Sequence, residues 1–250
     1  MIIKQLLHTL YSNKSPYSSY EEKYIDNGYP HTNITNDLLN VLFTNLEPTY
    51  IVECGSMIGG SAIRMATLLK NLQKSIDIIC IDPFTGDVNM WDWEKNGGTG
   101  QGGWRFLQLE NGIPTIYKRF IANCKRNGFE DNILPINATT SVGIKLLQRL
   151  YKQQRIDTFP NYVYLDSAHE KDETFIELSL SWELLDSNSI LFGDDWDWTD
   201  VREDVLSFSK IKQDSTNYDL LHRIHKLLQG SNIINNNILL YKNQWILFKQ

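Results

Sequence analysis

The sequence predicts an α/β fold: an open, doubly wound sheet, mostly parallel, that ends in a C-terminal antiparallel hairpin. Three observations carry that expectation. Short, nearly continuous apolar runs at residues 50–53, 76–82, 132–136, 161–166 and 189–195 alternate with amphipathic stretches. Strands buried on both faces look like this, and their alternation with helices favours parallel pairing. The first run opens into a glycine-rich turn, Gly55-Ser56-Met57-Ile58-Gly59-Gly60-Ser61, followed by a helical pattern over 62–72. Finally, residues 232–241 and 244–248 alternate weakly and are joined at Lys242-Asn243, as the two arms of a terminal hairpin are.

The remaining elements follow from periodicity. Residues 2–10 have helical spacing and lead into a polar, tyrosine-rich stretch, and 35–45 form an amphipathic helix. Residues 1–46 therefore read as an N-terminal helical segment that packs on the core or caps its site, with the main domain spanning 47–250. Helices are expected at 113–127, stopped by Gly128, and then up to residue 151, at 171–185 and at 199–209. The stretch 210–231 reads as irregular to helical. Residues 83–112 lack periodicity yet carry Trp91, Trp93 and Trp104 among several glycines. A loop of that length with aromatics reads as a lid, or as a loop that its tryptophans anchor to the core.

Composition bounds the function. The chain has 250 residues, 42% hydrophobic and 22% charged, which suffices for one substantial core. A net charge of −6 leaves no general footprint for nucleic acid. No apolar run is long enough to span a bilayer, and the three scattered cysteines, Cys54, Cys80 and Cys124, fit a reducing compartment. A cytoplasmic protein without membrane or nucleic-acid partners is expected; a homo-oligomer is compatible with the sequence.

In an open α/β sheet, ligands bind beyond the carboxyl ends of the strands. Here those ends carry Glu53, Asp82, Asp166 and the pair Asp194-Asp195. An acid ending the second strand suits the two hydroxyls of a ribose; the competing role for Asp82 is to start a loop or cap a helix. Several carboxylates on one rim repel unless a cation or hydroxyl donors intervene, and a divalent ion such as Mg2+ held by Asp166, Asp194 and Asp195 would satisfy them. The alternative is that Asp194 or Asp195 caps the following helix or pairs with Arg202. An unperturbed imidazole titrates near neutrality, which makes His169 the candidate base, against a structural role at the start of a helix. His222 and His225 read as surface residues rather than zinc ligands.

The motif Glu53-x-Gly55-x-x-x-Gly59 resembles the first motif of class I S-adenosylmethionine-dependent methyltransferases, whose fold is Rossmann-like. Asp82-Pro83-Phe84-Thr85-Gly86, Asp166-Ser167-Ala168-His169 and Gly193-Asp194-Asp195-Trp196 are similar to segments of a subgroup, the metal-dependent sugar O-methyltransferases of the macrocin and aminocoumarin type. The likeness covers about residues 48–210. It implies that Asp166, Asp194 and Asp195 bind Mg2+ or another divalent cation. It also implies that Glu53, Gly55, Ser56, Gly59, Ser61, Asp82, Phe84 and Asp166 hold S-adenosylmethionine, with Asn137 and Ala138 near its adenine. Asp166 and His169 are then the catalytic pair, and the acceptor is a small molecule, a glycan or glycoside with a vicinal diol. The chain departs from the subgroup at Ala168, where a second acid often stands, which leaves His169 as the replacement base. A metal-dependent glycosyltransferase and a catalytically silent binding protein of the same fold are the competing readings.

Overall fold

The structure is a computed structural model that describes residues 1–26, 32–92, 102–167 and 169–250. Its elements run α1 (Ile2–Tyr11), α2 (Asn36–Asn45), β1 (Ile51–Cys54), α3 (Gly60–Asn71), β2 (Ile78–Asp82), α4 (Val88–Trp91), α5 (Ile116–Arg126), β3 (Ile133–Asn137), α6 (Thr140–Lys152) and β4 (Tyr162–Leu165). There follow α7 (Glu173–Leu184), β5 (Ser189–Gly193), α8 (Thr199–Ile211), α9 (Tyr218–Leu227), β6 (Asn232–Ile234), β7 (Ile238–Tyr241) and β8 (Gln244–Lys249). One sheet holds all eight strands in the order β3-β2-β1-β4-β5-β8-β7-β6. The first five are parallel, and β8, β7 and β6 continue antiparallel. The expected fold class is present.

Strand alternation sorts side chains into two cores. Ile51, Ile78, Cys80, Ile133, Tyr162, Tyr164, Ile190 and Phe192 face α2, α3, α5 and α9. Val52, Ile79, Ile81, Leu134, Val163, Leu165 and Leu191 face α1, α6, α7 and α8. Burial on both faces is why these runs read as continuously apolar.

The amino-terminal segment joins the two faces. Helix α1 lays Ile2, Ile3 and Leu6 into the second core, while Tyr17 belongs to the first. Between them the chain passes around β3, the edge of the sheet. There the Tyr11 hydroxyl donates to the Pro135 carbonyl and the Tyr17 hydroxyl to the Ile133 carbonyl, the latter at 2.7 Å. Residues 133 and 135 turn their carbonyls away from β2, so the two phenols cover polar groups that an open edge would expose. Pro135 has no amide hydrogen to leave unpaired on that side.

Three elements differ from expectation. The helix expected from residue 113 begins at Ile116, because Glu110 and Ile113 pair across a tight turn and Pro114 follows. The hairpin has a third strand: Asn235 and Asn236 adopt positive φ of 49° and 68°, so 232–241 turns back on itself. Asparagine tolerates that left-handed backbone better than most residues, which a period-two pattern does not register. Within 83–112, α4 and a 3-10 turn at Gly102–Phe106 replace part of the structureless loop. The Trp91 and Trp104 rings meet edge to face at 5.6 Å, and Leu107 is fully buried. Trp93, Gly97, Gly98 and Gly100 lie outside the described residues.

Candidate active site

Strand order reverses between β1 and β4, which opens a crevice at their carboxyl ends. The glycine turn crosses that point so closely that a Cβ on Gly55, whose φ is +85°, would stand 1.9 Å from the Asp166 carbonyl oxygen. No residue but glycine fits. Glu53 works from beneath the turn: its carboxylate accepts from Ser56 Oγ at 2.6 Å, from Ser61 Oγ and from Cys80 Sγ at 3.2 Å. The residue is fully buried, and burial pushes its carboxyl above the usual range despite those three donors. It staples the turn and does not line the cleft.

The cleft is lined by Gly55, Ser56, Met57, Ile58, Gly60 and Ser61 on one side. Asp82, Pro83, Gly86, Asp87, Met90 and Ile116 form another wall, and Asp166, Ser167 and His169 its far end. Gly59 is the N-cap of α3, with φ +90°. The amides at the start of α3 therefore face a ligand space, an arrangement suited to a carboxylate or another anionic group. Asp82 accepts Met57 N at 2.7 Å on one oxygen and Phe84 N on the other, tying the two loops together. Burial raises its carboxyl above the ordinary value, against those amides. The Ser56 amide also points at this carboxylate, which still has lone-pair capacity for a ligand hydroxyl.

Phe84 is buried and does not line the cleft; its ring packs against Tyr117 and Phe120 at 5.1 and 5.2 Å. Asn137 and Ala138 end β3 and do not line the cleft, although Ala138 N donates to the Asp82 carbonyl at 3.2 Å.

The carboxylates at the far end converge. Ligand atoms of Asp166, His169 and Asp195 lie within 4.8 Å of one another. His169 Nε2 donates to Asp195 Oδ2 at 2.8 Å, and its Nδ1 stands 3.5 Å from Asp87 Oδ2. Burial disfavours the imidazolium, but hydrogen bonds to Asp195 and Asp87 and the Asp195 and Asp166 charges outweigh it, holding the His169 pKa up at about 10. Asp166 is pushed well above the carboxylate range, first by burial and then by Asp195 and Asp194. With His169 charged, the cluster already holds one positive group, and in that state the ring has no lone pair to take a proton.

Asp194 belongs to the same loop but not to that triplet. Its Oδ1 accepts Asp195 N at 2.9 Å and Gln244 Nε2 at 3.1 Å. Neither acid caps α8, and Arg202 donates to the Trp196 and Asp197 carbonyls instead. Donors around one octahedral ion at about 2.1 Å stand at most about 4.2 Å apart, a spacing comparable with the 4.8 Å within which the triplet lies. Two carboxylates and an imidazole fit a divalent cation, and such a mixed set takes Mn2+ as readily as Mg2+. His225 bonds Ser231 at 2.8 Å, and among the described residues the histidines of α9 form no metal cluster.

Asp87 was not among the candidates read from sequence. Its Oδ1 caps α4 by accepting Met90 N at 2.9 Å, while its other oxygen faces His169. It stands one residue beyond Gly86 in the motif that begins at Asp82, the signal by which it was within reach.

The family profile described as "Methyltransferase domain" matches residues 52–196. Among curated protein sequences none matches the chain. Similar solved structures include an O-methyltransferase from Bacillus cereus in complex with SAH, at 12% identity over 99% of this chain and 96% of that one, with a TM-score of 0.46. CalS11, a calicheamicin methyltransferase, is 18% identical over 85% of this chain and 78% of its own, with a TM-score of 0.48. The O-methyltransferase TomG from Streptomyces achromogenes, of tomaymycin synthesis and in complex with SAM, is 14% identical over 89% and 82%, with a TM-score of 0.43.

Proposed function

Because the chain belongs to the methyltransferase-domain family, we propose that it transfers a methyl group from S-adenosylmethionine to a hydroxyl of a sugar or another small vicinal diol, assisted by a divalent cation. The observation that carries this reading is the meeting of the glycine-turn cleft with the Asp166, His169 and Asp195 cluster at one end of it.

The turn from Gly55 to Ser61 and the first amides of α3 would hold the methionine carboxylate, and Asp82 the ribose hydroxyls. Asn137 and Ala138, beside Asp82 and outside the cleft lining, would come near the adenine only where the cofactor extends past Asp82. Asp166 and Asp195 would hold the cation, with Asp194 fixing the loop behind them and His169 beside it as a proton acceptor. Bound there, the cofactor supplies an electrophilic methyl group and the cation a Lewis acid that makes the acceptor hydroxyl easier to deprotonate. The protein orients the acceptor oxygen in line with the methyl group. A C–O bond forms as the S–C bond breaks, and the hydroxyl proton leaves to His169 Nε2 or to solvent. His169 serves as acceptor only once the Asp166 and Asp195 charges are otherwise compensated, since their field is part of what keeps it protonated. Val88 and Trp91, exposed on α4 next in sequence to the cleft residues Asp87 and Met90, suit the apolar face of a sugar or an aromatic ring.

Among the described residues lining the cleft none is Lys or Arg, and the one cationic side chain there, His169, is already engaged by Asp195 and Asp87, which favours methyl transfer over glycosyl transfer to or from a diphosphate. Among the described residues no helix is long and apolar enough to cross a membrane. Calorimetry with S-adenosylmethionine and its demethylated product, with and without Mg2+, followed by an acceptor screen, tests the reading. The double variant Asp194→Asn, Asp195→Asn is expected to lose at least about 100-fold in turnover while binding S-adenosylmethionine within about threefold of wild type. Full turnover in excess chelator would sink the metal-assisted reading, and no cofactor binding at all would sink the methyltransferase reading.

A further inference from the structure

Four hydrogen bonds tie the turn between β7 and β8 to the loop that carries the acid pair. The Asn243 carbonyl accepts Trp196 N at 3.1 Å, and its side-chain oxygen accepts Asp197 N at 2.8 Å. The Trp245 indole donates to the Asp194 carbonyl at 3.0 Å, and Gln244 Nε2 donates to Asp194 Oδ1 at 3.1 Å. Trp245 also packs directly on Gly193, where an added Cβ would come within 2.3 Å of the indole.

Both sides of this contact carry a local penalty. Asp195 has a φ of +62°, a left-handed backbone that an aspartate adopts only where its surroundings impose it. Gln244 is 1% exposed, and its Oε1 has no hydrogen-bond partner among the described residues. An apolar side chain of similar size at position 244 would avoid that orphaned acceptor. What the amide supplies, and leucine could not, are N–H groups to Asp194 and, at 3.4 Å, to the Asn33 carbonyl.

We infer that the β7–β8 turn sets the geometry of the acid pair for its cation, with Gln244 as a positioning residue: it fixes Asp194 Oδ1, and Asn243 and Trp245 hold the loop so that Asp195 faces Asp166 and His169. The inference rests on the cation-assisted reading above. It assigns a role in the site to a residue fifty positions further along the chain, outside the cleft lining.

The test is Gln244→Leu in the full chain, titrated with Mn2+ alone by calorimetry and by the electron paramagnetic resonance signal of the free ion. The Mn2+ dissociation constant is expected to rise about tenfold, the effect typical of losing a partner behind a metal ligand. S-adenosylmethionine affinity should stay within about twofold while the melting temperature falls by no more than the loss of a buried hydrogen bond explains, a combination that general destabilisation does not produce. Asn243→Ala, on the half-buried turn, should shift Mn2+ affinity in the same direction by about threefold. Wild-type Mn2+ affinity in Gln244→Leu overturns the inference alone. A wild-type chain that binds S-adenosylmethionine but no Mn2+ overturns the cation-assisted reading and this inference with it. If Gln244→Leu also loses cofactor binding, Asn243→Ala decides, and unchanged Mn2+ affinity there overturns the inference.

Discussion

Glu53 illustrates how far a single residue can be read. Its position before a glycine turn marks it as part of a ligand seat, but the strand's alternation puts it on the face of Ile51, toward α3 and away from the cleft. Ser56 and Ser61, three and eight residues on, are its partners. Burial raises its folded-state pKa above the ordinary 4.5. Above that value the unfolded chain releases a proton that the folded chain retains, so stability present below it is lost as pH rises through the folded pKa. Glu53→Gln lacks that titration. Its melting temperature relative to wild type should therefore climb as pH is raised from about 4 and then level off, as read by scanning calorimetry at a series of pH values. A difference that stays flat or falls would mean that Glu53 is ionised without strain. Asp166, Asp194 and Asp195 were legible as strand-end acids. The protonated state of His169 was not, because it depends on Asp87 and Asp195 approaching the ring from two different loops.

At the scale of elements, the five parallel strands and most helices follow from apolar runs and periodicity. What escaped was local: α4, started by the Asp87 cap, and the extra strand created by the Asn235-Asn236 turn. The use of Gln244 beside Asp194 depends on the register of β8 against β5, with Gly193 opposite Trp245, which no local pattern specifies. The covered edge of β3 is a second such feature. Tyr17→Phe removes the donor to the Ile133 carbonyl and leaves the ring in place. It should cost about 1 kcal/mol in urea denaturation. A variant as stable as wild type would show that the hydroxyl contributes nothing to closing that edge.

The molecule as a whole distributes its core over two faces of one sheet, and α1 is part of that core. Leu6 is fully buried, and Ile3 N donates to Asp77 Oδ2 at 3.0 Å at the start of β2. Leu6→Ala should cost about 2–4 kcal/mol, measured by equilibrium unfolding in urea. A change within about 0.5 kcal/mol would make α1 a peripheral attachment. The general fold was legible in the sequence because each strand and helix carries its own pattern. The path of the first 26 residues from one face to the other was not, because Tyr11 and Tyr17 are ordinary aromatics until β3 is beside them.

That path has a consequence for the order of events during synthesis. Tyr17 and its partner Ile133 are separated by 116 positions. At about 5–20 residues per second, roughly 6 to 23 seconds pass between their appearance on the ribosome. Throughout that interval the apolar stripe of Ile2, Ile3 and Leu6 has no completed sheet to settle on. The segment made early docks late, and during translation it depends on the solvent, or on a chaperone, to keep it from other company.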